Sequence, residues 1–312
     1  MNIIKRGIST TRRLCKAVPP GPGGYMGTGG IAAREPKVLV TGAVGQVGQE
    51  LVPFLREIYG GENVIATDMR SPPQDLYEAG PFQYVDVLEM SNLSRLVVEE
   101  NVQTIVHLAA MLSATGEQHP DLALRVNNVG TQNIFELARA NKIRVFCPST
   151  IAVFGPTTPQ DDTPDDCILR PTTMYGLTKV HTELLGEYYH RKFGVDFRSL
   201  RYPGVISSKA LPGGGTTDYA VEIYHHALAT GEYTSFLKED CALPMIYMPD
   251  LLKATIGIMQ VCRTLMWRLI MKSLRVFFSI LSLSCFMWIG SLDSSGVLPS
   301  YPGVSHSSPM TI

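Results

Sequence analysis

The sequence has few of the features that mark a metal or disulfide protein. Its six cysteines are spread over 312 residues without any short pair, so the CxxC spacing of structural zinc sites is absent. Only two of the seven histidines, His225 and His226, are neighbours. We therefore expect no disulfide framework and no metal, and we expect reduced thiols that fill the core.

The sequence also lacks an excess of charge of one sign and a long apolar run. Lys and Arg number 27 against 28 Asp and Glu, which gives a net charge of -1. Nucleic-acid binding needs a basic surface, so the composition argues against that class of partner. The apolar run at 276–289 has 14 residues, whereas a membrane-spanning helix needs about 20. We predict no stable membrane span.

Acidic residues are missing from the first 34 positions, which contain six Lys and Arg and the hydroxyl run Ser9, Thr10 and Thr11. This composition is typical of an organelle transit peptide. A Gly/Pro-rich run at 19–30 follows, and neither residue type supports a helix or a sheet there. We interpret residues 1–36 as a mitochondrial transit peptide and linker, with a tail that simply stays unfolded as the alternative.

From Lys37 onward, short β-branched runs alternate with segments of helical period. Strands are predicted at 37–41, 63–68, 82–87, 104–110, 144–150 and 196–202, and helices at 46–59, 93–101, 122–141 and 175–194. Alternation at this spacing predicts parallel strands joined by right-handed crossovers, which is a doubly wound α/β (Rossmann) sheet. We assign 37–202 to this domain and 203–260, with a helix ending at Gly231 and a strand and helix at 244–260, to a partial substrate lobe.

The predicted helix at 175–194 has an apolar period that indicates one buried side. That side would contain Leu177, Val180, Leu184, Leu185 and Tyr188.

A TGxxGxxG motif, Thr41 to Gly48, lies between the first strand and its helix. Glycines there permit the tight turn and the approach of a pyrophosphate, which the helix N-terminus attracts. Asp68 ends the second strand 20 residues after Gly48, where a carboxylate accepts from a ribose 2′-hydroxyl and repels a 2′-phosphate. NAD is favoured over NADP, although Arg70 could pair with a phosphate. A turn that binds no ligand is the alternative.

Tyr175 and Lys179 lie at i and i+4, on one face of the predicted helix. A nearby ammonium stabilises a phenolate, so Tyr175 is a candidate general base for a hydroxyl proton. Ser149 and Thr150 end the fifth strand, where ligands of α/β sheets bind, and can hold a substrate oxygen. Their ordinary role would be capping, and an exposed Tyr and Lys at this spacing need no function.

Several motifs occur in order: TGxxGxxG, HLAA (107–110), NxxGTxN (127–133), VFG (153–155), YxxxK and RYPG (201–204). Over residues 37–260 they resemble the extended short-chain dehydrogenase/reductase family. Within it, PSTIAVFGPTTP, RPTTMYGLTKVHTELLGEYY and PGGGTTDYAVEIYHHAL are most similar to the mitochondrial-type L-threonine 3-dehydrogenase group.

This resemblance implies NAD-dependent oxidation of L-threonine to L-2-amino-3-oxobutanoate. It assigns catalysis to Thr150, Tyr175 and Lys179. It assigns NAD binding to Gly42, Gly45, Gln46, Val47, Gly48, Asp68, Arg70, Asp86, Val87, Leu108, Ala109, Ala110, Tyr175, Lys179 and Val205. It assigns threonine binding to Ser113, Thr150, Tyr175, Thr216 and Thr217. It also implies a homodimer through the helices at 122–141 and 175–193.

The resemblance ends near Gln260. Residues 261–312 are basic and apolar and then Ser/Gly/Pro-rich, and we expect a divergent, poorly ordered tail, as an alternative transcript or an erroneous gene model would produce. Two other functions remain open. One is a nucleotide-sugar epimerase or dehydratase of the same superfamily, and the other is an inactive NAD-binding paralogue or fragment.

Overall fold

A computed structural model of the chain describes residues 35–159, 162–209, 215, 217–235, 237 and 243–261. The predicted transit peptide with nearly all of its linker, the predicted tail beyond Val261, and Thr216 lie outside these residues.

The described residues contain short strands that form one large sheet and two small pairs. The strands are β1 (Val38–Thr41), β2 (Val64–Asp68), β3 (Phe82–Tyr84), β4 (Thr104–His107), β5 (Arg144–Phe146), β6 (Ser149–Thr150), β7 (Phe197–Arg198), β8 (Arg201–Tyr202), β9 (Gly204–Ile206) and β10 (Met245–Tyr247). The sheet has six parallel strands in the order β3-β2-β1-β4-β5-β7. Strand β6 pairs with β8, and β9 pairs with β10. The predicted doubly wound fold is confirmed.

Helices connect these strands. They are α1 (Gln46–Tyr59), α2 (Gln74–Glu78), α3 (Met90–Glu99), α4 (Ser113–Gln118), α5 (Pro120–Leu124), α6 (Gly130–Asn141), α7 (Met174–Phe193), α8 (Tyr219–Thr230) and α9 (Met248–Gln260). A π-helical turn at Arg125–Val129 joins α5 to α6, and 3₁₀ turns lie at Gly61–Asn63 and Ile151–Val153.

Both faces of the sheet are buried, as its continuous apolar strands require. Val38 and Val40 of β1 point into a core that they share with α1 and α9. Leu39, between them, points into a second core that contains side chains of α3, α6 and α7. Helix α9 therefore covers the same face of the sheet as α1.

Four of the predicted strands are shorter in the structure than the sequence pattern indicates. Strand β3 ends at Tyr84 rather than at residue 87. Strand β4 ends at His107, after which Ala109 passes directly over Gly42. The stretch 144–150 is interrupted before Pro148, which has no N–H to donate, and resumes as β6. The stretch 196–202 divides into β7 and β8 in parallel with it.

Two helix predictions need correction. The helix expected at 122–141 is broken by the π-helical turn, which contains the buried side chain of Asn127. The apolar side expected for α7 is only partly buried, because Leu177, Leu184 and Tyr188 are about half exposed, at 48%, 60% and 54%. Val180 is partly buried, and Leu185 packs against the second core. The buried side of α7 is formed instead by small and polar residues: Gly176, Thr178, Lys179, Thr182, Glu183, Gly186 and Tyr189.

Cys147 is a buried thiol in the core, and Cys167 is partly buried; both are free. Within the ranges that the structure describes, no helix is long and apolar enough to cross a membrane. The same residues include no group of three His, Cys, Asp or Glu side chains that could hold a metal ion.

Candidate active site

The glycine-rich turn lies at the carboxyl end of β1. Its three glycines differ in how much space a side chain would have. Gly42 has φ 73°, and a Cβ there would lie 2.5 Å from the backbone nitrogen of Ala109. A Cβ on Gly48 would lie 2.5 Å from the carbonyl oxygen of Gly42. A Cβ on Gly45 would approach only the Gly42 oxygen closely, at 3.2 Å. Packing therefore requires Gly42 and Gly48, whereas Gly45 leaves space that a ligand can use.

Helix α1 begins at this turn with a free positive end. Gly45 is its N-cap and provides no side-chain hydrogen bond, and the first turn contains no acidic residue. The backbone N–H groups of Gln46 and Val47 therefore have no intrahelical acceptor. This arrangement suits an anionic group such as a pyrophosphate.

Asp68 is buried at the end of β2 and organises the glycine turn. One carboxylate oxygen accepts from the backbone N–H of Val44 over 2.9 Å. The other accepts from the backbone and side chain of Arg70 over 3.0 and 3.3 Å. The Arg70 side chain is 64% exposed, so its guanidinium lies at the surface beside the carboxylate.

Asp86 and Val87 follow β3. The Asp86 carboxylate accepts from the backbone N–H of Leu88 over 2.9 Å. Val87 is buried, and its carbonyl oxygen accepts from the side-chain amide of Asn133 over 2.9 Å. These bonds fix the loop between β3 and α3, beside α6.

Tyr175 and Lys179 lie one turn apart near the start of α7. Thr173 caps this helix by accepting from the N–H of Gly176 over 3.1 Å. The Lys179 ammonium is buried, lies 5.6 Å from the centre of the Tyr175 ring, and donates to the carbonyl oxygen of Pro148 over 2.9 Å. The predicted pair thus shares one helix face, directed at the segment that precedes Thr150.

The two neighbouring hydroxyls of Ser149 and Thr150 have different partners. Ser149 is buried and donates to the carboxylate of Glu183 over 2.5 Å. Thr150 is partly exposed and accepts from the N–H of Ala152 over 3.2 Å, which leaves its own O–H for donation. Of the two candidates, only Thr150 keeps a hydroxyl proton that can be offered to a substrate oxygen.

Helix α4 carries the substrate candidate Ser113 and lies against the start of α7. Glu117 of α4 accepts from the backbone N–H of Met174 over 2.6 Å, so the helix of Ser113 is fixed next to Tyr175. Thr217 lies beside Gly204, at the start of β9. Val205 follows in that strand. Leu108, Ala109 and Ala110 follow β4, and the backbone of Leu108 and Ala109 passes over Gly42.

Several buried polar residues around this site have no role predicted from the sequence. His107 of the HLAA motif is hydrogen-bonded to the hydroxyls of Thr41, over 2.7 Å, and Thr131, over 3.3 Å. Burial, aided by the charge of Lys179, lowers the pKa of His107 to about 3. The imidazole is therefore neutral at physiological pH.

Asn127 and Glu183 were also missed. Asn127 exchanges hydrogen bonds with the backbone of Met111 and donates to Thr178 over 3.0 Å, so it connects three segments at the site. Glu183 forms a buried ion pair with Arg201. Its position four residues after Lys179 is the signal that could have placed it on the same face of the helix.

Comparisons with protein families and with individual proteins both indicate an NAD-dependent oxidoreductase family. The model of the NAD dependent epimerase/dehydratase family matches residues 38–264. A Bos taurus protein described as mitochondrial L-threonine 3-dehydrogenase is 49% identical over 73% of this chain and 61% of its own length. A Sus scrofa protein of the same description is 46% identical over 77% of this chain and 65% of its own.

The crystal structure of L-threonine dehydrogenase from Phytophthora infestans is 59% identical, with a TM-score of 0.69 over 72% of each chain. This chain spans less than two thirds of the length of the two mammalian relatives. The family model, however, matches most of it and includes the glycine turn, Asp68 and the Tyr175–Lys179 pair. The chain belongs to the NAD dependent epimerase/dehydratase family.

Proposed function

We propose that this chain is an L-threonine 3-dehydrogenase, which oxidises the side-chain hydroxyl of L-threonine to give L-2-amino-3-oxobutanoate. The observation that carries the proposal is the joint placement of Thr150, Tyr175 and Lys179. The face of α7 that contains Lys179 is hydrogen-bonded to Pro148 and Ser149, which directly precede Thr150. Relatives described as threonine dehydrogenases, at 46 to 59% identity, support the same substrate.

NAD, the cofactor that membership of the family implies, fits the residues around the glycine turn. The space beside Gly45 and the free N–H groups at the start of α1 suit its pyrophosphate. The Asp68 carboxylate suits a ribose hydroxyl. We assign NAD binding to Gly42, Gly45, Gln46, Val47, Gly48, Asp68, Arg70, Asp86, Val87, Leu108, Ala109, Ala110, Tyr175, Lys179 and Val205. When bound, NAD supplies the hydride acceptor for an alcohol oxidation.

In the proposed reaction, Tyr175 removes the proton from the substrate hydroxyl as the general base. The Lys179 ammonium lies on the same helix face, 5.6 Å from the centre of the Tyr175 ring, and we assign it the role of supporting proton removal by Tyr175. Thr150 donates its O–H to the substrate oxygen and orients it. We assign threonine binding to Ser113, Thr150, Tyr175, Thr216 and Thr217.

The test is NADH formation by the full-length chain with L-threonine and with L-serine, together with product analysis for a UDP-sugar, because an epimerase or dehydratase returns its hydride and forms no net NADH. Threonine should be oxidised and the UDP-sugar should not react. The Tyr175→Phe variant should lose at least about 100-fold in kcat, because it lacks the general base. Turnover of the UDP-sugar without threonine oxidation would instead identify an epimerase. Tight NAD binding with no turnover of any substrate would identify an inactive NAD-binding protein.

We also propose a homodimer formed through α7 and the helices at 120–141. The exposed apolar residues Leu177, Leu184 and Tyr188 lie on α7, and Leu122 and Val129 are 45% exposed on the neighbouring segment. Apolar patches of this kind mark protein interfaces. In light scattering, the wild type should have twice the mass of one chain, and Leu184→Glu should give a monomer. A monomeric wild type would refute this assembly.

Mitochondrial localisation is a further part of the proposal. It rests on the acid-free, Arg-rich composition of residues 1–34 and on the similarity to mammalian proteins described as mitochondrial. Residues 1–36 fused to a fluorescent protein should direct it to mitochondria. The matched control replaces Arg12 and Arg13 with Glu and should leave the protein in the cytosol. A cytosolic wild-type fusion would exclude this localisation signal.

A further inference from the structure

Three residues form a row along α7, each one turn after the last: Tyr175, which is partly buried, and Lys179 and Glu183, which are buried. The row lies against the segment 148–150. Lys179 donates to the carbonyl oxygen of Pro148, and Glu183 accepts from the hydroxyl of Ser149. The segment that carries Thr150 is thus bonded to the Tyr175 helix at two consecutive residues.

Arg201 completes this connection from the strand side. Its guanidinium pairs with both oxygens of Glu183, with N···O distances of 2.9 Å, and both side chains are buried. It also donates to the carbonyl oxygen of Asp165 over 2.8 Å and lies over the ring of Phe154. Since Arg201 is the register partner of Ser149 in the β6–β8 pair, helix, ion pair and strands form a closed set of bonds.

A buried ion pair is a costly way to fill this place. Removing two charges from water cancels most of their attraction, and well-packed apolar residues often give equal or greater stability. Stability therefore does not explain why Glu183 and Arg201 are both charged here. The orientation of Glu183 explains it, because a bidentate ion pair with Arg201 sets the position of the carboxylate that accepts the hydrogen bond from Ser149.

We propose that Glu183 and Arg201 are positioning residues, which act through Ser149 to fix the Thr150 hydroxyl in register with Tyr175. Neither residue is proposed to touch the substrate. The proposal rests on the proposed function for the roles of Thr150 and Tyr175, and it adds the residues that determine their relative placement.

Two variants test it in the full-length chain. Ser149→Ala removes only the link to the strand, since Glu183 keeps both bonds to Arg201. The double variant Glu183→Met with Arg201→Met removes the ion pair without leaving a lone buried charge. Tyr202→Phe is the matched control, because Tyr202 follows Arg201 in β8 and its buried hydroxyl bonds instead to Thr255 in α9.

The first readout is kcat with threonine, divided by the number of NAD sites counted by calorimetry, so that unfolded molecules do not contribute. We expect a loss of about tenfold or more in Ser149→Ala and in the double variant, since small misplacements of reacting groups are costly. The NAD affinity should change less than about twofold. Tyr202→Phe should keep the wild-type value per site. A wild-type value in both test variants would overturn the proposal.

The second readout is hydrogen exchange of the peptide 148–155 without substrate. It should become faster in Ser149→Ala than in Tyr202→Phe, and equal exchange in the two variants would overturn the positioning role. This measurement separates the two proposals. If the wild-type chain makes no NADH with threonine, the proposed function fails, while the exchange of this peptide still decides whether Ser149 and its ion pair fix the strand.

Discussion

The ammonium of Lys179 and the carbonyl oxygen of Pro148 are joined by a 2.9 Å hydrogen bond inside the protein. The bond places a buried positive charge between the helix of Tyr175 and the end of the central sheet. Its electrostatic effect reaches two further residues, because the charge of Lys179 contributes to the low pKa of His107 and opposes the rise that burial causes in the pKa of Cys147.

Replacing Lys179 with Met should therefore have two measurable effects. The rate of threonine oxidation should fall by about 100-fold or more, because Tyr175 loses the charge that supports it. The pKa of His107, followed by NMR, should rise but stay below its ordinary value, since burial is the larger cause. The control is Lys253→Met, at a side chain that is 71% exposed. An unchanged rate would contradict the role of Lys179.

The three glycines of the turn predict a separation between folding and NAD binding. Gly48→Ala places a Cβ within 2.6 Å of two backbone oxygens, and it should lower the free energy of unfolding by about 1–3 kcal/mol. Gly45→Ala meets one oxygen at 3.2 Å and has an ordinary φ of -74°, so it should fold nearly normally. Its NAD affinity should fall about tenfold or more, because the methyl group occupies the ligand space.

Calorimetric NAD titration and thermal unfolding of the two variants provide the measurement. If Gly45→Ala binds NAD like the wild type, the space beside Gly45 does not hold the pyrophosphate.

The sequence was sufficient to predict the strands and helices that are specified by their own residues. Strand β1, the glycine turn and α1 follow from a β-branched run, a turn that tolerates positive φ, and a helical period, and α1 has the predicted bounds of 46–59. Long-range partners decided the rest. Pro148 interrupts the strand predicted at 144–150, and β6 exists only because β8 pairs with it.

The face of α7 could not be read from its hydrophobic period. Its buried side contains Lys179 and Glu183, which find partners in Pro148, Ser149 and Arg201 from other parts of the chain. The apolar side chain of Leu184 is exposed at the surface. The buried side of this helix thus contains two charged side chains, because their partners come from distant parts of the chain that a local hydrophobic period does not show.

Asp68 predicts the choice between NAD and NADP. In Asp68→Asn, the amide oxygen can still accept from Val44, but the negative charge that repels a 2′-phosphate is removed and Arg70 loses its ionic partner. NAD affinity should fall about tenfold, and NADP binding should become measurable. Adding Arg70→Ala should abolish the gain in NADP binding. NADP binding to the wild type as tight as NAD binding would show that Asp68 does not discriminate.

His107 predicts how the stability of the fold depends on pH. Its pKa is about 3 in the folded protein against 6.5 for an ordinary imidazole. Between these values the unfolded chain binds a proton that the folded chain does not bind. The contribution of the neutral His107 side chain to the free energy of unfolding is therefore fully retained above about pH 6.5. It is lost as the pH falls toward 3, by about 1.4 kcal/mol per pH unit.

Urea unfolding at pH 5 and pH 7 measures this slope. In His107→Gln, the side chain can still donate to one of Thr41 and Thr131 and accept from the other, but it does not titrate. Its unfolding free energy should therefore depend less steeply on pH than that of the wild type. His225→Gln, at an exposed position on α8, should keep the wild-type slope. Equal slopes in the wild type and His107→Gln would show that folding does not lower the pKa of His107, which would contradict the effect of its burial.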